Sequence, residues 1–141
     1  MQPEGRLIET IELENGIAVY FYDQSRGVLG DRWQVKLLAM IPMEVKPDYF
    51  DEFDNPEEIC KEFVSLVGKT ISFQIERLRN FIDRSDVSQT LAELKDEFLR
   101  SNLDYISRPH FARKFILKKY HEQMENERLG HLYRQHMQQP N

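Results

Sequence analysis

The sequence has little cysteine and no long apolar run. Cys60 is the single cysteine among 141 residues, so an internal disulfide and a site built from several thiolates are both excluded. No apolar stretch approaches the ~20 residues that a membrane-spanning helix needs. The first ten residues also lack the apolar segment of a secretion signal. We therefore predict a cytoplasmic protein that has no membrane partner.

Familiar motifs of catalysis and ligand binding are also missing. No two of the four histidines lie three or four residues apart, the spacing that places two metal ligands on one face of a helix. Gly27 and Gly30 fit neither a phosphate-binding loop nor a dinucleotide-binding fingerprint. Cys60 falls on the apolar stripe of a predicted helix, where a free cysteine usually acts as a small hydrophobe. We predict no catalytic residue, no cofactor and no metal, and we favour a protein that is not an enzyme.

The first fifty residues carry the alternating pattern of β-strands. The pair Asn15-Gly16 fits a two-residue hairpin turn, and apolar alternating runs flank it. Residues 17–22 predict a central strand, because both faces of that strand would be apolar or aromatic. Residues 23–31 contain two glycines and predict a mobile loop. A third strand begins at Trp33 and is predicted to end at Pro42, which lacks the N–H that further pairing requires.

The middle of the chain predicts one helix. Asn55 can cap its start, Pro56 suits the first helical position, and Asn55 and Glu58 have the spacing of a capping box. Gly68 is typical of a helix end.

A fourth strand follows, with apolar and polar residues alternating over 71–76. Arg77 and Arg79 then occupy the face that had been apolar. This break predicts a bulge, a strand that extends past the core, or a buried arginine site.

Two helices are predicted to complete the chain. One has Asp83 or Ser85 as its cap and ends near Asn102, and the other starts after Ser107. The order β-β-β-α-β-α-α predicts an α+β fold, with an antiparallel sheet of about four strands and helices packed on one face. We expect a single domain over residues 1–137 and a frayed tail over 138–141.

Charge is distributed unevenly along the chain. Residues 1–70 carry 7 basic and 14 acidic side chains, whereas residues 71–141 carry 12 basic and 10 acidic ones. The acidic excess is concentrated over residues 44–62, and the basic excess over residues 108–119. Opposite charges segregated in this way can attract each other or attract different partners.

These segments predict two interaction patches. The basic patch comprises Arg77, Arg79, Arg84, Arg113, Lys114 and Lys118. The acidic and aromatic patch comprises Tyr49, Phe50, Asp51 and Phe53. Aromatic side chains in such a segment either pack inward or anchor a basic partner, and inward packing is the favoured alternative.

Three hypotheses of function remain. The leading one is a non-catalytic protein-interaction or regulatory module, whose partner is another protein or a second copy of the chain. The first alternative is nucleic-acid binding through the basic patch, which the net charge of −5 disfavours. The second is a small-ligand receptor or enzyme with a polar pocket near the 23–32 loop, built from Asp23, Asp31, Arg32 and Arg77.

Overall fold

A computed structural model describes residues 3–138 of the chain, with Gln138 described by its backbone alone. The protein has the predicted α+β fold, with a five-stranded antiparallel sheet and three α-helices among the described residues. The strands are β1 (Arg6–Glu12), β2 (Ala18–Asp23), β3 (Arg26–Leu29), β4 (Arg32–Glu44) and β5 (Thr70–Asp83). The helices are α1 (Pro56–Val67), α2 (Val87–Ile106) and α3 (Phe111–Gln138). Of the predicted frayed tail, Gln138 ends α3 and residues 139–141 lie outside the described residues.

The sheet is a meander that has β1 at one edge. β1 pairs with β2, and β2 pairs with the middle of β4. β3 pairs with the start of β4, and β5 pairs with β4 as well. Side-chain bonds join Gln34 to Asn80 and Lys36 to Glu76, so residue numbers rise along β4 as they fall along β5. This pair is therefore antiparallel too.

The predicted mobile loop over residues 23–31 is wrong, because β3 forms within it. The Asp23 carboxylate accepts a bond from the backbone N–H of Ser25, and the Ser25 hydroxyl accepts one from the N–H of Lys36. These bonds hold the bend between β2 and β3 against β4. Gly27 lies opposite Trp33, and a Cβ at Gly27 would be 3.6 Å from the indole. The tryptophan covers the bare glycine, a cross-strand contact that local composition does not reveal.

Two other strand boundaries differ from expectation. β4 continues through Pro42 to Glu44, because its pairing with β2 ends at Met40 and the missing N–H of Pro42 is not needed there.

The turn at Asn15-Gly16 has three residues, since Gly16 N–H donates to the Leu13 carbonyl and Leu13 N–H donates to the Ile17 carbonyl. Gly16 alone in this turn has a positive φ, of 85°, as in a hairpin whose last loop residue is left-handed.

The described chain divides into two compact units, and the single domain predicted over residues 1–137 stays a prediction. The first unit contains residues 3–43 and 72–111, and the second contains residues 44–71 and 112–138. Among residues 3–138, no helix combines the length and the apolar content of a membrane span.

In the first unit, α2 packs against one face of the sheet. Phe98 of α2 meets Phe21 of β2 edge to face with ring centres 5.6 Å apart, and both side chains are fully buried. Lys95 pairs with Glu9 beside them. A 3₁₀ turn, Arg84–Asp86, precedes α2, which therefore starts later than caps at Asp83 or Ser85 would place it. The helix also runs to Ile106, past the predicted end near Asn102.

In the second unit, an aromatic cluster joins a 3₁₀ turn, Pro47–Phe50, to α1 and α3. The ring of Tyr120 lies 5.4 Å from Phe50 and 5.5 Å from Phe63, with both phenylalanines fully buried. The helix α1 starts at Pro56 as predicted, but the capping box does not form. The Asn55 amide donates to the Glu58 carboxylate instead of accepting a bond from the helix backbone.

Candidate protein-interaction surfaces

The basic residues of β5 are engaged within the first unit. Arg79 donates to both carboxylate oxygens of Glu97 on α2, at 2.9 and 3.2 Å. Its side chain therefore lies against the helix and not in a cavity. Arg77 is half-buried on the same strand, and Arg84 is exposed after the strand ends. The break in alternation thus places Arg79 in a surface ion pair between strand and helix.

The strand also has a bulge further on. Arg32 and Gln34 are two positions apart on β4, whereas their respective partners Asp83 and Asn80 are three positions apart on β5. The extra residue lies at or beside Phe81, whose φ is 57°. A phenylalanine rarely adopts this left-handed conformation, and here its ring is 75% exposed. Because this extra residue lies past Arg79, it does not account for the break in alternation at Arg77 and Arg79.

The remaining basic residues lie on α3 in the second unit. Arg113 pairs with Asp51, and this hydrogen bond raises the pKa of the Arg113 guanidinium. Lys114 and Lys118 are exposed. The basic side of α3 is therefore partly neutralised by the acidic segment of the same unit.

The aromatic residues of the acidic and aromatic patch pack inward. This is the alternative that the sequence favours over anchoring a basic partner. Phe50 is buried, and Tyr49 and Phe53 are half-buried. The Phe53 ring lies 5.7 Å from that of Tyr120. Asp51 remains at the surface as the partner of Arg113.

Three of the four residues predicted for a polar pocket form separate contacts. Asp23 pairs with Arg6, and Arg32 pairs with Asp83. The Asp31 carbonyl accepts the backbone N–H of Arg84. A shallow groove beside Arg32 is lined also by Phe81 and residues of α2, but Asp23, Asp31 and Arg77 do not line it.

Reactive and metal-binding groups give no alternative site in the part of the chain that the structure describes. Burial raises the pKa of the Cys60 thiol, which disfavours the nucleophilic thiolate. Its Sγ lies 3.9 Å from the Val45 carbonyl oxygen. Within residues 3–138, no group of three or more metal-ligating side chains is arranged to hold an ion.

The end of α3 carries an exposed apolar stripe. It consists of Leu129, Leu132, Tyr133 and Met137, which are 52%, 48%, 65% and 65% exposed. The spacing i, i+3, i+4, i+8 places all four on one side of the helix. We call this surface the α3 stripe.

The α3 stripe points away from the packed side of its own helix. Tyr120, which packs on Phe50 and Phe63, precedes Leu129 by nine residues. At about 100° per residue, nine residues turn the helix by about 180° beyond two full turns. The stripe is therefore not a continuation of the side that the second unit buries.

A second apolar surface lies in the first unit. Ile11 and Leu13 from the β1 end of the sheet, with Leu99 and Leu103 from α2, line an open groove of about 610 Å³. Glu12 and Glu14 lie on its strand side, and Arg100 lies on its helix side. We call it the β1–α2 groove. The residues that make up each surface depend on which apolar side chains the packed elements leave uncovered, and the sequence alone does not give this.

Comparison of the chain with protein-family models, curated proteins and solved structures gives no significant match.

Proposed function

We propose that this protein is a non-catalytic, cytoplasmic protein-interaction module that pairs with a second copy of itself through the α3 stripe. The observation that carries the proposal is the stripe of four apolar side chains on the outer side of α3. Exposed apolar surface of this kind favours association, because its burial removes it from water at about 25 cal/mol per Å². A single exposed leucine is common on protein surfaces, whereas an aligned set of exposed apolar side chains is typical of an interaction site.

The charges of the same helical segment favour an antiparallel second copy. Residues 122–127 carry three glutamates and no basic side chain. Residues 128–136 carry two arginines and two histidines and no acidic side chain. An antiparallel pair would place each acidic half beside the basic half of the other helix. A parallel pair would instead place like charges together.

A two-fold axis near residues 130 and 131 satisfies both features. Leu129 of one copy then faces Leu132 of the other, and Glu125 of one copy faces His136 of the other. A symmetric contact of this type closes on itself and stops at a dimer.

The alternative of nucleic-acid binding has less support. Two of the six basic-patch residues are engaged by carboxylates, Arg79 by Glu97 and Arg113 by Asp51. Their charge is then less available for phosphate groups.

Sedimentation equilibrium over a concentration series tests the dimer. We expect the wild-type chain to dimerise, and the variants Leu129→Asp and Leu132→Asp to be monomers under the same conditions. Leu66→Asp is the matched control, since Leu66 is 45% exposed on α1, and it should dimerise as the wild type does. A wild-type chain that stays monomeric at every concentration, or dimers that persist in both stripe variants, would refute the proposal.

A charge exchange tests the orientation. Glu125→Lys should weaken the dimer, because it removes the carboxylate that faces His136 of the other copy. Combining it with His136→Glu should restore the dimer in an antiparallel arrangement. A double variant that is no stronger than Glu125→Lys alone would contradict the antiparallel arrangement.

A further inference from the structure

The β1–α2 groove combines an apolar floor with a strand that has a free edge. β1 is the terminal strand of the sheet order and pairs on one side with β2. Its other side carries backbone N–H and C=O groups that a further strand can pair with. From Glu9 to Glu12 the register with β2 is regular, so this part of β1 has no bulge that would interrupt pairing with a further strand.

The groove also has charge on its rims. Among residues 3–138, neither Glu12 nor Glu14 has an ion-pair partner, so both carboxylates are open to a cation. On the helix side, Arg100 is exposed, and Asp104 lies 3.8 Å from Arg108 in a surface ion pair. The strand rim is therefore acidic, directly beside the apolar side chains of Ile11 and Leu13.

We infer that the β1–α2 groove binds an extended segment of a partner protein, which adds to β1 as a further strand. The segment would place alternate apolar side chains between Leu99, Leu103 and Ile11. Lysine or arginine side chains next to them would meet Glu12 and Glu14. Backbone bonds to β1 would supply affinity that does not depend on sequence, and the pockets for alternate side chains would supply specificity.

A helical occupant fits these observations less well. A helix satisfies its own backbone groups and would leave the free edge of β1 unpaired. A groove between an edge strand and a helix suits a segment that lies parallel or antiparallel to the strand.

Selection from a random-peptide library displayed on phage tests the inference. Peptides that are retained should carry alternate apolar residues together with lysine or arginine. Binding of the fluorescein-labelled peptides, measured by anisotropy, should weaken roughly tenfold or more in Leu103→Asp, which corresponds to at least about 1.4 kcal/mol. Leu66→Asp is the matched control, because Leu103 and Leu66 are 43% and 45% exposed.

Two further measurements keep the test independent of the folding of that variant. Peptides methylated on alternate backbone nitrogens should bind in one methylation pattern and fail in the other, since a strand presents alternate N–H groups to its neighbour. On the protein that keeps Leu103, the peptide should slow amide hydrogen exchange in β1. All measurements are made in the Leu129→Asp background, so that the result does not depend on dimerisation. A library that yields no binder, or peptides that bind Leu103→Asp equally well and tolerate both methylation patterns, would overturn the inference.

Discussion

The side-chain amide of Asn15 donates hydrogen bonds of 2.8 Å to the backbone carbonyls of both Ile106 and Arg108, over ninety residues away in the chain. Ile106 is the last residue of α2, where carbonyl groups have no partner within the helix. The side-chain oxygen Oδ1 of Asn15 also accepts a bond from the backbone N–H of Ile17. One side chain therefore shapes the β1–β2 turn and caps α2.

This relationship predicts that Asn15→Ala destabilises the protein by about 1–3 kcal/mol, because carbonyls at a half-buried helix end lose their donor. Asn15→Asp should be worse, since a carboxylate cannot donate and repels the carbonyls. Urea unfolding followed by circular dichroism measures both. Asn102→Ala is the control, since the Asn102 amide donates to the Phe98 carbonyl within its own helix. Equal stabilities for Asn15→Ala and the wild type would contradict the capping role.

Substitution of Phe81 should have the opposite effect on the free energy of unfolding. Its backbone φ of 57° is costly for a side chain with a Cβ, and its exposed ring gains little from burial. Phe81→Gly should therefore raise the free energy of unfolding by about 1 kcal/mol, as measured by urea unfolding. Leu78→Gly on the same strand is the control and should destabilise, because Leu78 has no positive φ and glycine weakens a regular strand. A loss of stability in Phe81→Gly would mean that the aromatic ring makes a contact the native state needs.

Features that depend on local patterns were predictable from the sequence. The alternation over residues 17–22 predicts β2, and the three-and-four spacing of Leu91, Leu94 and Phe98 predicts the buried face of α2. Pro56 and Gly68 mark both ends of α1, because their backbone preferences act at a single position.

Features that depend on distant partners were not predictable. β3 exists because Trp33 and Lys36 of β4 supply its contacts, and residues 23–31 alone have the composition of a loop. The basic patch combined residues by charge, but Glu97 and Asp51 decide how much of that charge is free. The α3 stripe could be found only by comparing its side of the helix with the side that Tyr120 buries.

The buried thiol of Cys60 gives a prediction about pH. Burial raises its pKa above the ordinary value of 9.0, so the folded state holds the protonated form. The unfolded thiol ionises first as the pH rises, and the stability contributed by Cys60 is therefore present below pH 9.0 and lost above it. The difference in unfolding free energy between the wild type and Cys60→Ala should shrink over that range. Reaction with a thiol reagent at neutral pH should be slow in the native protein and fast in urea; fast native labelling would contradict burial.

The pairing of Asp51 with Arg113 gives a test of the nucleic-acid alternative. Asp51→Asn removes the negative charge that pairs with Arg113, whose charge is then available beside the exposed side chains of Lys114 and Lys118. Binding of a single-stranded oligonucleotide at low salt, measured by anisotropy, should strengthen in this variant. The slope of log affinity against log salt should steepen by about 0.7, the value for one additional phosphate contact on a single strand.

Asp48→Asn is the matched control, because it removes the same charge from the same segment and Asp48 has no ion-pair partner within residues 3–138. If Arg113 is held by its specific partner, Asp51→Asn should change the slope and Asp48→Asn should not. Equal changes in the two variants would mean that net charge alone governs binding, since the geometry of the Arg113 pair would then have no separate effect.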